Sequence, residues 1–212
     1  MVRPDGSDLR ELETGGVFGG SELYVGYGSA WAWSPDSEQI VYTYGVESDS
    51  ESRPKINVLN LSTGSKRRLA SGSYPVWSPN GTRLAFVDRC RIWVMPPKGG
   101  NRTPLTPSPR PKSGECVSQL GWSPDGRWIA ATAGDGNIGY PIVARSDGKQ
   151  QHQARLIRPA TVRWPRDCKR MFFYPVPEWG WVGWIVHGPQ GIPRFARVPA
   201  RGIIQTYADW RC

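Results

Sequence analysis

The amino-acid sequence predicts an all-β fold, a β-propeller with four recognisable four-stranded blades plus a split or truncated fifth blade. Two observations carry this: a turn block that recurs along the chain, and the strand that follows it. The block reads Trp122-Ser123-Pro124-Asp125-Gly126. Its other copies are Trp33-Ser34-Pro35-Asp36, Trp77-Ser78-Pro79-Asn80 and the degraded Trp164-Pro165-Arg166-Asp167. Their intervals of 44, 45 and 42 residues lie in or near the range for propeller blades of four strands. Proline presets the backbone angle at the second turn position, Ser and Asp suit the flanking positions, and Gly relieves the fourth. Arg127 to Thr132, just after the third copy, is rich in β-branched and aromatic residues and reads as a strand.

The chain opens on a blade's end. Val2 to Leu12 parallels Val58 to Leu69, and a third copy runs from Val94 to Leu105. Each is a strand, a Gly-containing turn and a short polar strand closing on Leu. A Gly-rich connector, residues 13–28, then leads to the first block. Blade one spans about Ala30 to Ala70, with Gln39 to Tyr44 as its second strand and an acidic loop from Val46 to Lys55. Blade two spans about Tyr74 to Thr106 and carries a very short hairpin at Asp88-Arg89-Cys90-Arg91. A Pro-rich connector (Pro107 to Gly114) precedes blade three, whose loop at Ala133 to Asn137 is Gly-rich. Blade four starts near Thr161, has a strand at Arg170 to Tyr174, and continues into an expanded aromatic loop, Pro177 to His187. The tail pattern returns at Phe195 to Ile204, and Trp210 falls where a fifth block would begin. The whole chain, residues 1–212, thus reads as one propeller domain. Either its two ends complete one split blade, or it is a fragment of a longer protein.

Composition agrees with that architecture. The 25 Gly and 20 Pro sit mainly between short apolar runs, which is turn punctuation and not disorder. A hydrophobic fraction of 38% and a mean hydropathy of −0.49 are ordinary for a soluble chain. No apolar run reaches transmembrane length, and Met1 to Asp5 has no signal-peptide character. The formal charge of +9 comes from 27 basic and 18 acidic residues. Lys66-Arg67-Arg68 is the only basic run, whereas nucleic-acid binders cluster charge on one face. The composition therefore gives no nucleic-acid signature. The charge otherwise reads either as an anionic partner, such as an acidic glycan, another anionic polymer or a membrane surface, or as a generally basic surface. Its dispersal favours the basic surface.

The block Trp-Ser-Pro-Asp-Gly, the strand Arg-Trp-Ile-Ala-Ala-Thr, and the tail Ile92-Trp93-Val94-Met95-Pro96-Pro97-Lys98-Gly99-Gly100 together resemble the repeat of the TolB-like β-propellers. The resemblance covers nearly the whole chain. It implies an exported, periplasmic or extracellular protein, and in the best-known member a propeller that binds other proteins. Similar repeats also occur in propellers attached to peptidase domains and in enzymes acting on polysaccharides. The chain is shorter than the six-bladed pattern of the family, so no binding site is carried over from it.

Chemistry-bearing groups are few. Asp36, Asn80, Asp125 and Asp167 could be read as a ring of metal ligands, but each is explained by capping its own turn. The block tryptophans read as wedges between neighbouring blades, since a large ring buries much apolar surface. There is no Gly-x-Ser-x-Gly elbow, no zinc spacing and no phosphate-binding loop, and the only histidines are His152 and His187. No cofactor is expected. Trp179, Trp181, Trp184 and His187 are the candidate binding residues. Aromatics at a propeller mouth suit stacking on a sugar, a peptide or a partner surface, while alternation around Gly180 fits an apolar plug or extra strand, which the pattern narrowly favours. The leading function is a non-catalytic scaffold that presents loops for protein or glycan recognition. The alternative is a propeller enzyme, or an accessory domain of one, acting on polysaccharide or peptide at the ring axis.

Topology chooses among the three pairings that four cysteines allow. Cys90 in the blade-two hairpin and Cys116 in the connector entering blade three share one end of the ring. Cys168 and Cys212 each follow a block tryptophan and share the other. The expected bridges are Cys90–Cys116 and Cys168–Cys212, which would imply an oxidising compartment.

Overall fold

Each complete turn block is closed by its own serine. The Ser34 amide donates to the Gln39 carbonyl at 2.8 Å and the Gln39 amide donates to Ser34 Oγ at 2.9 Å. The Ser34 hydroxyl in turn donates to Asp36 Oδ1, which also accepts the Glu38 amide at 3.0 Å. These bonds favour the ionised carboxylate, so Asp36 titrates below the usual carboxylate range, through the Ser34 hydroxyl first and the Glu38 amide second. Ser78 repeats the arrangement with Asn80 and Arg83, and Ser123 repeats it with Asp125 and Trp128. The three serines are buried although their turns are at the surface. That local bonding explains why the block can recur in three blades with only Asp exchanged for Asn while the rest of each blade drifts.

The computed structural model describes residues 31–44, 54–105, 116–134, 139–153, 160–163, 172–175, 183–187 and 194–198. They form four antiparallel four-stranded sheets, each in sequence order. Blade one contains β1 (Trp31–Trp33), β2 (Gln39–Tyr44), β3 (Lys55–Asn60) and β4 (Lys66–Ser71). Blade two contains β5 (Ser73–Trp77), β6 (Leu84–Asp88), β7 (Arg91–Met95) and β8 (Thr103–Pro104). Blade three contains β9 (Cys116–Trp122), β10 (Trp128–Gly134), β11 (Gly139–Arg145) and β12 (Gln151–Gln153). Blade four contains β13 (Ala160–Arg163), β14 (Phe172–Pro175), β15 (Gly183–His187) and β16 (Arg194–Val198). Four consecutive meanders of this kind are propeller blades. The N-terminal tail, the connector 13–28, Cys168, Trp210 and Cys212 lie outside the described residues, as does the expected fifth blade.

The core lies between blades. Val41, Ile56 and Val58 of blade one pack with Trp77, Leu84, Phe86 and Met95 of blade two. The alternate residues of blade two, Ala85, Val87, Ile92 and Val94, face Trp122, Ile129, Ala131 and Ala133 of blade three. Both faces of the central blade are thus apolar, and strand β6 is buried along its whole length. Trp77 and Trp122 are wedges as expected, and the Trp122 Nε1–H also donates to the Val76 carbonyl at 3.3 Å. Arginines clasp the same interfaces from outside. Arg67 donates to the carbonyls of Pro97 and Lys98, and Arg83 donates to Ser146 O at 2.9 Å while stacking over Trp122.

Blade four departs from the sequence expectation. Residues 183–187 were assigned to the aromatic loop, but they form β15, paired with β14 through Phe172↔Ile185 and Phe173↔Trp184. The reason lies in Trp184-Ile185-Val186, a β-branched and aromatic run that fills the third-strand place. Phe195 to Val198, read as a third strand from its likeness to the other tails, belongs instead to the outermost strand β16. Cys116, placed in a connector from sequence, is the first residue of β9.

Candidate functional site

Because strands alternate in direction, the loops between second and third strands emerge at the same end as the connectors between blades. The block turns occupy the opposite end, where Asp36, Asn80 and Asp125 are engaged by their own turns. Among the described residues, no group of His, Cys, Asp and Glu could hold a metal ion.

At the connector end, the two-residue hairpin of blade two is made of Arg89 and Cys90, with φ of 49° and 59°. Positive φ at both central residues is the type I′ geometry that matches strand twist, usually supplied by Asn or Gly. Here the turn is tied down. Cys90 and Cys116 form a disulfide with Cα atoms 4.5 Å apart, joining the blade-two hairpin to the first strand of blade three. The bridge spans 26 residues of sequence, so chain-entropy arguments give it about 3.5 kcal/mol. The double variant C90S/C116S is expected to lose about that much in urea unfolding. An unchanged midpoint would show that the bridge contributes nothing to stability.

Beside the hairpin lies a charged cluster that sequence reasoning did not single out. Asp88 is only 6% exposed and its carboxylate binds Arg102 Nη1 at 2.7 Å. The Arg102 guanidinium stands 4.3 Å over the Trp93 ring, and that of Arg91 stands 5.7 Å from it. The Trp93 Nε1–H donates to the Asp88 carbonyl oxygen at 3.1 Å. The Arg102 cation offsets the desolvation of a carboxylate that is otherwise costly to bury, and the Trp93 ring face holds that cation. Asp88, Met95, Gly100 and Arg102 form one wall of a groove of about 330 Å³, and Leu69, Ala70 and Ser71 of β4 form the other. Arg102 lines the groove with one Nη on Asp88 and its side chain 39% exposed. The only sequence signal was the pairing Asp88↔Arg91 across the hairpin, while Arg102 is brought in by β8.

The aromatic candidates are not gathered into one loop. Trp184 and His187 lie in strand β15. Trp179 and Trp181 lie outside the described residues, as do Cys168 and Cys212. Among the described residues, no helix is long and apolar enough to cross a membrane.

Comparison with known proteins bears on the fold. No family model matches the chain, and no curated protein matches it. Solved structures do. TolB from Acinetobacter baumannii is 20% identical with a TM-score of 0.53, over 80% of this chain and 43% of that one. An oligogalacturonate lyase from Vibrio parahaemolyticus is 14% identical with a TM-score of 0.54, over 84% of this chain and 55% of the lyase. A chain of a nidogen/laminin complex is 15% identical with a TM-score of 0.55, over 76% of this chain and 60% of that one. The chain spans less than two thirds of each of these structures. In fold it is a TolB-like β-propeller.

Proposed function

We propose that the chain is a non-catalytic binding propeller which recognises a protein, or secondarily a glycan, at its connector end. The observation that carries this reading is the contrast between the two ends. The block-turn end repeats the same bonded Ser-x-Asp/Asn unit in three blades. The connector end varies in every blade, from the two-residue Arg89-Cys90 turn to the segments 45–54, 135–138 and 176–182. Variable loops on a rigid scaffold are where recognition resides. The described serine hydroxyls of the blocks and the Asp88 carboxylate are committed to internal partners, which supports binding over catalysis. The nidogen/laminin likeness shows the same fold in a protein–protein complex. The likeness to an oligogalacturonate lyase keeps the enzymatic alternative concrete enough to test. The Cys90–Cys116 bridge supports work in an oxidising, periplasmic or extracellular compartment.

Trp179, Trp181, Trp184 and His187 remain the proposed contacts, with Trp179 and Trp181 the leading pair because both fall between β14 and β15. The test uses immobilised full-length protein probed with oligogalacturonate, cellohexaose and a random peptide library. Binding without cleavage of the bound probe is expected. The double variant W179A/W181A should weaken that binding at least tenfold with an unchanged unfolding midpoint. Cleaved products would overturn the non-catalytic reading. A folded variant that binds normally would overturn the site, and an unfolded one would make the two tryptophans core residues.

A further inference from the structure

The Asp88–Arg102 ion pair is made through one atom of each partner, Nη1 to Oδ2 at 2.7 Å. Among the described residues, no hydrogen bond reaches Asp88 Oδ1 and none leaves Arg102 Nη2. Asp88 is nearly buried, yet Oδ1 is not sealed in: among the described residues, the sealed side-chain atoms without a partner are Thr43 Oγ1 and Trp77 Nε1. Oδ1 therefore opens into the groove that Asp88 lines. A carboxylate oxygen so placed is costly unless a donor meets it. Arg102 is held by Asp88 and by the Trp93 ring 4.3 Å away, so its remaining N–H groups are fixed before a ligand arrives. On the facing wall, Ser71 Oγ accepts the Lys55 ammonium at 3.5 Å, which leaves its hydroxyl hydrogen to donate. Leu69 and Ala70 beside it are half-buried and apolar.

We propose that this groove between blades one and two is a subsite for one neutral sugar residue. One hydroxyl donates to Asp88 Oδ1 and accepts from Arg102, and a second accepts from Ser71. The ion pair decides the class of ligand. Its charges cancel, so an anion meets repulsion from Asp88 and a cation meets it from Arg102. An ionised or zwitterionic ligand gains only by competing with the pair, whereas a hydroxyl, which both donates and accepts, adds to it and leaves it intact. The apolar stretch at Leu69 and Ala70 suits the C–H face of a sugar ring. A volume of about 330 Å³ lies at the small end for ligand sites, which fits a single ring. At Gly100, which also lines the groove, an added Cβ would meet nothing within 4 Å. The groove is open there, and a longer glycan leaves by that side. This extends the glycan side of the recognition proposed above to a site that uses neither Trp179 nor Trp181.

The test is an NMR titration of the full chain with the methyl glycosides of glucose, galactose, mannose and N-acetylglucosamine. At least one should bind with a Kd on the order of 1 mM, the range open to so small a ligand, and equally well at low and high salt. D88N should weaken that binding about tenfold, because a bond to a charged acceptor is lost. S71A removes one hydroxyl from a half-buried position and should weaken it several-fold; it carries the test alone if D88N does not fold. W179A/W181A should leave the Kd unchanged, so failure of the aromatic site and failure of this one are told apart. No binding by any of the four glycosides, or binding that S71A and D88N leave intact, would overturn the subsite. Tighter, salt-sensitive binding of glucuronic acid or of glycine would overturn the neutral sugar and assign the groove to a charged ligand.

Discussion

Replacing Trp122 with alanine is expected to cost about 4 kcal/mol of stability, the range for emptying a buried indole site. The ring is 7% exposed between blades two and three, packed among Ala85, Val87 and Ile129. Those neighbours belong to paired β-strands, so they cannot relax far enough to refill the space. Arg83 would lose its stacking surface at the same time. The phenylalanine variants separate packing from hydrogen bonding. W122F gives up the bond to the Val76 carbonyl and should lose about 1 kcal/mol beyond the difference in ring area. Trp77 fills the same place one blade earlier, but its buried Nε1–H has no partner. Removing an unsatisfied donor relieves a desolvation penalty, so W77F should cost less than W122F. Urea unfolding of the variants checks the order. Equal losses for the two phenylalanine variants would show that the Trp122 bond contributes nothing.

What was legible in the sequence was what is settled locally. The Ser-Pro-Asp/Asn turn is closed by bonds reaching no more than five residues, so its three complete blocks located the first three blades and the first two strands of each. The short hairpin at Asp88 and its neighbourhood with Cys116 followed from strand direction alone. Less legible was anything decided across blades. Lys66-Arg67-Arg68 reads as a solvated outer strand, yet Arg67 reaches about 30 residues along the chain to hold the next blade's turn. Asp88, Trp93 and Arg102 converge only through the register of β6, β7 and β8. The third strand of blade four was misplaced because Phe195 to Val198 mimics a tail more closely than Gly183 to His187 does, while pairing with β14 was decided by Trp184 and Ile185. Identical block position did not guarantee identical burial either, since Trp33 is 42% exposed and Trp77 only 9%.

Gly72→Ala is expected to cost about 3 kcal/mol or more, through two separate mechanisms. Gly72 is the link between the outermost strand of blade one and the innermost strand of blade two, and its amide donates to the Pro54 carbonyl at 2.8 Å. Its φ of 144° belongs to a region that side-chain-bearing residues rarely adopt. A Cβ there would stand 2.5 Å from the Val87 carbonyl oxygen, 2.8 Å from the Phe86 ring and 3.3 Å from Ile56 Cδ1. Two of those three neighbours cannot give way cheaply. The Val87 carbonyl is backbone of the fully buried strand β6, and Phe86 is locked in the blade one–blade two core. Gly64 provides the control. It too has positive φ, at 68°, but a Cβ there meets nothing within 4 Å. G64A should therefore cost only the left-handed backbone term, about 1 kcal/mol. The difference between the two variants in urea unfolding isolates the steric part of the effect. A G72A loss no larger than that of G64A would mean that blades one and two can move apart at their connector, and that their packing is looser than the buried cluster of Trp77, Phe86 and Ile56 implies.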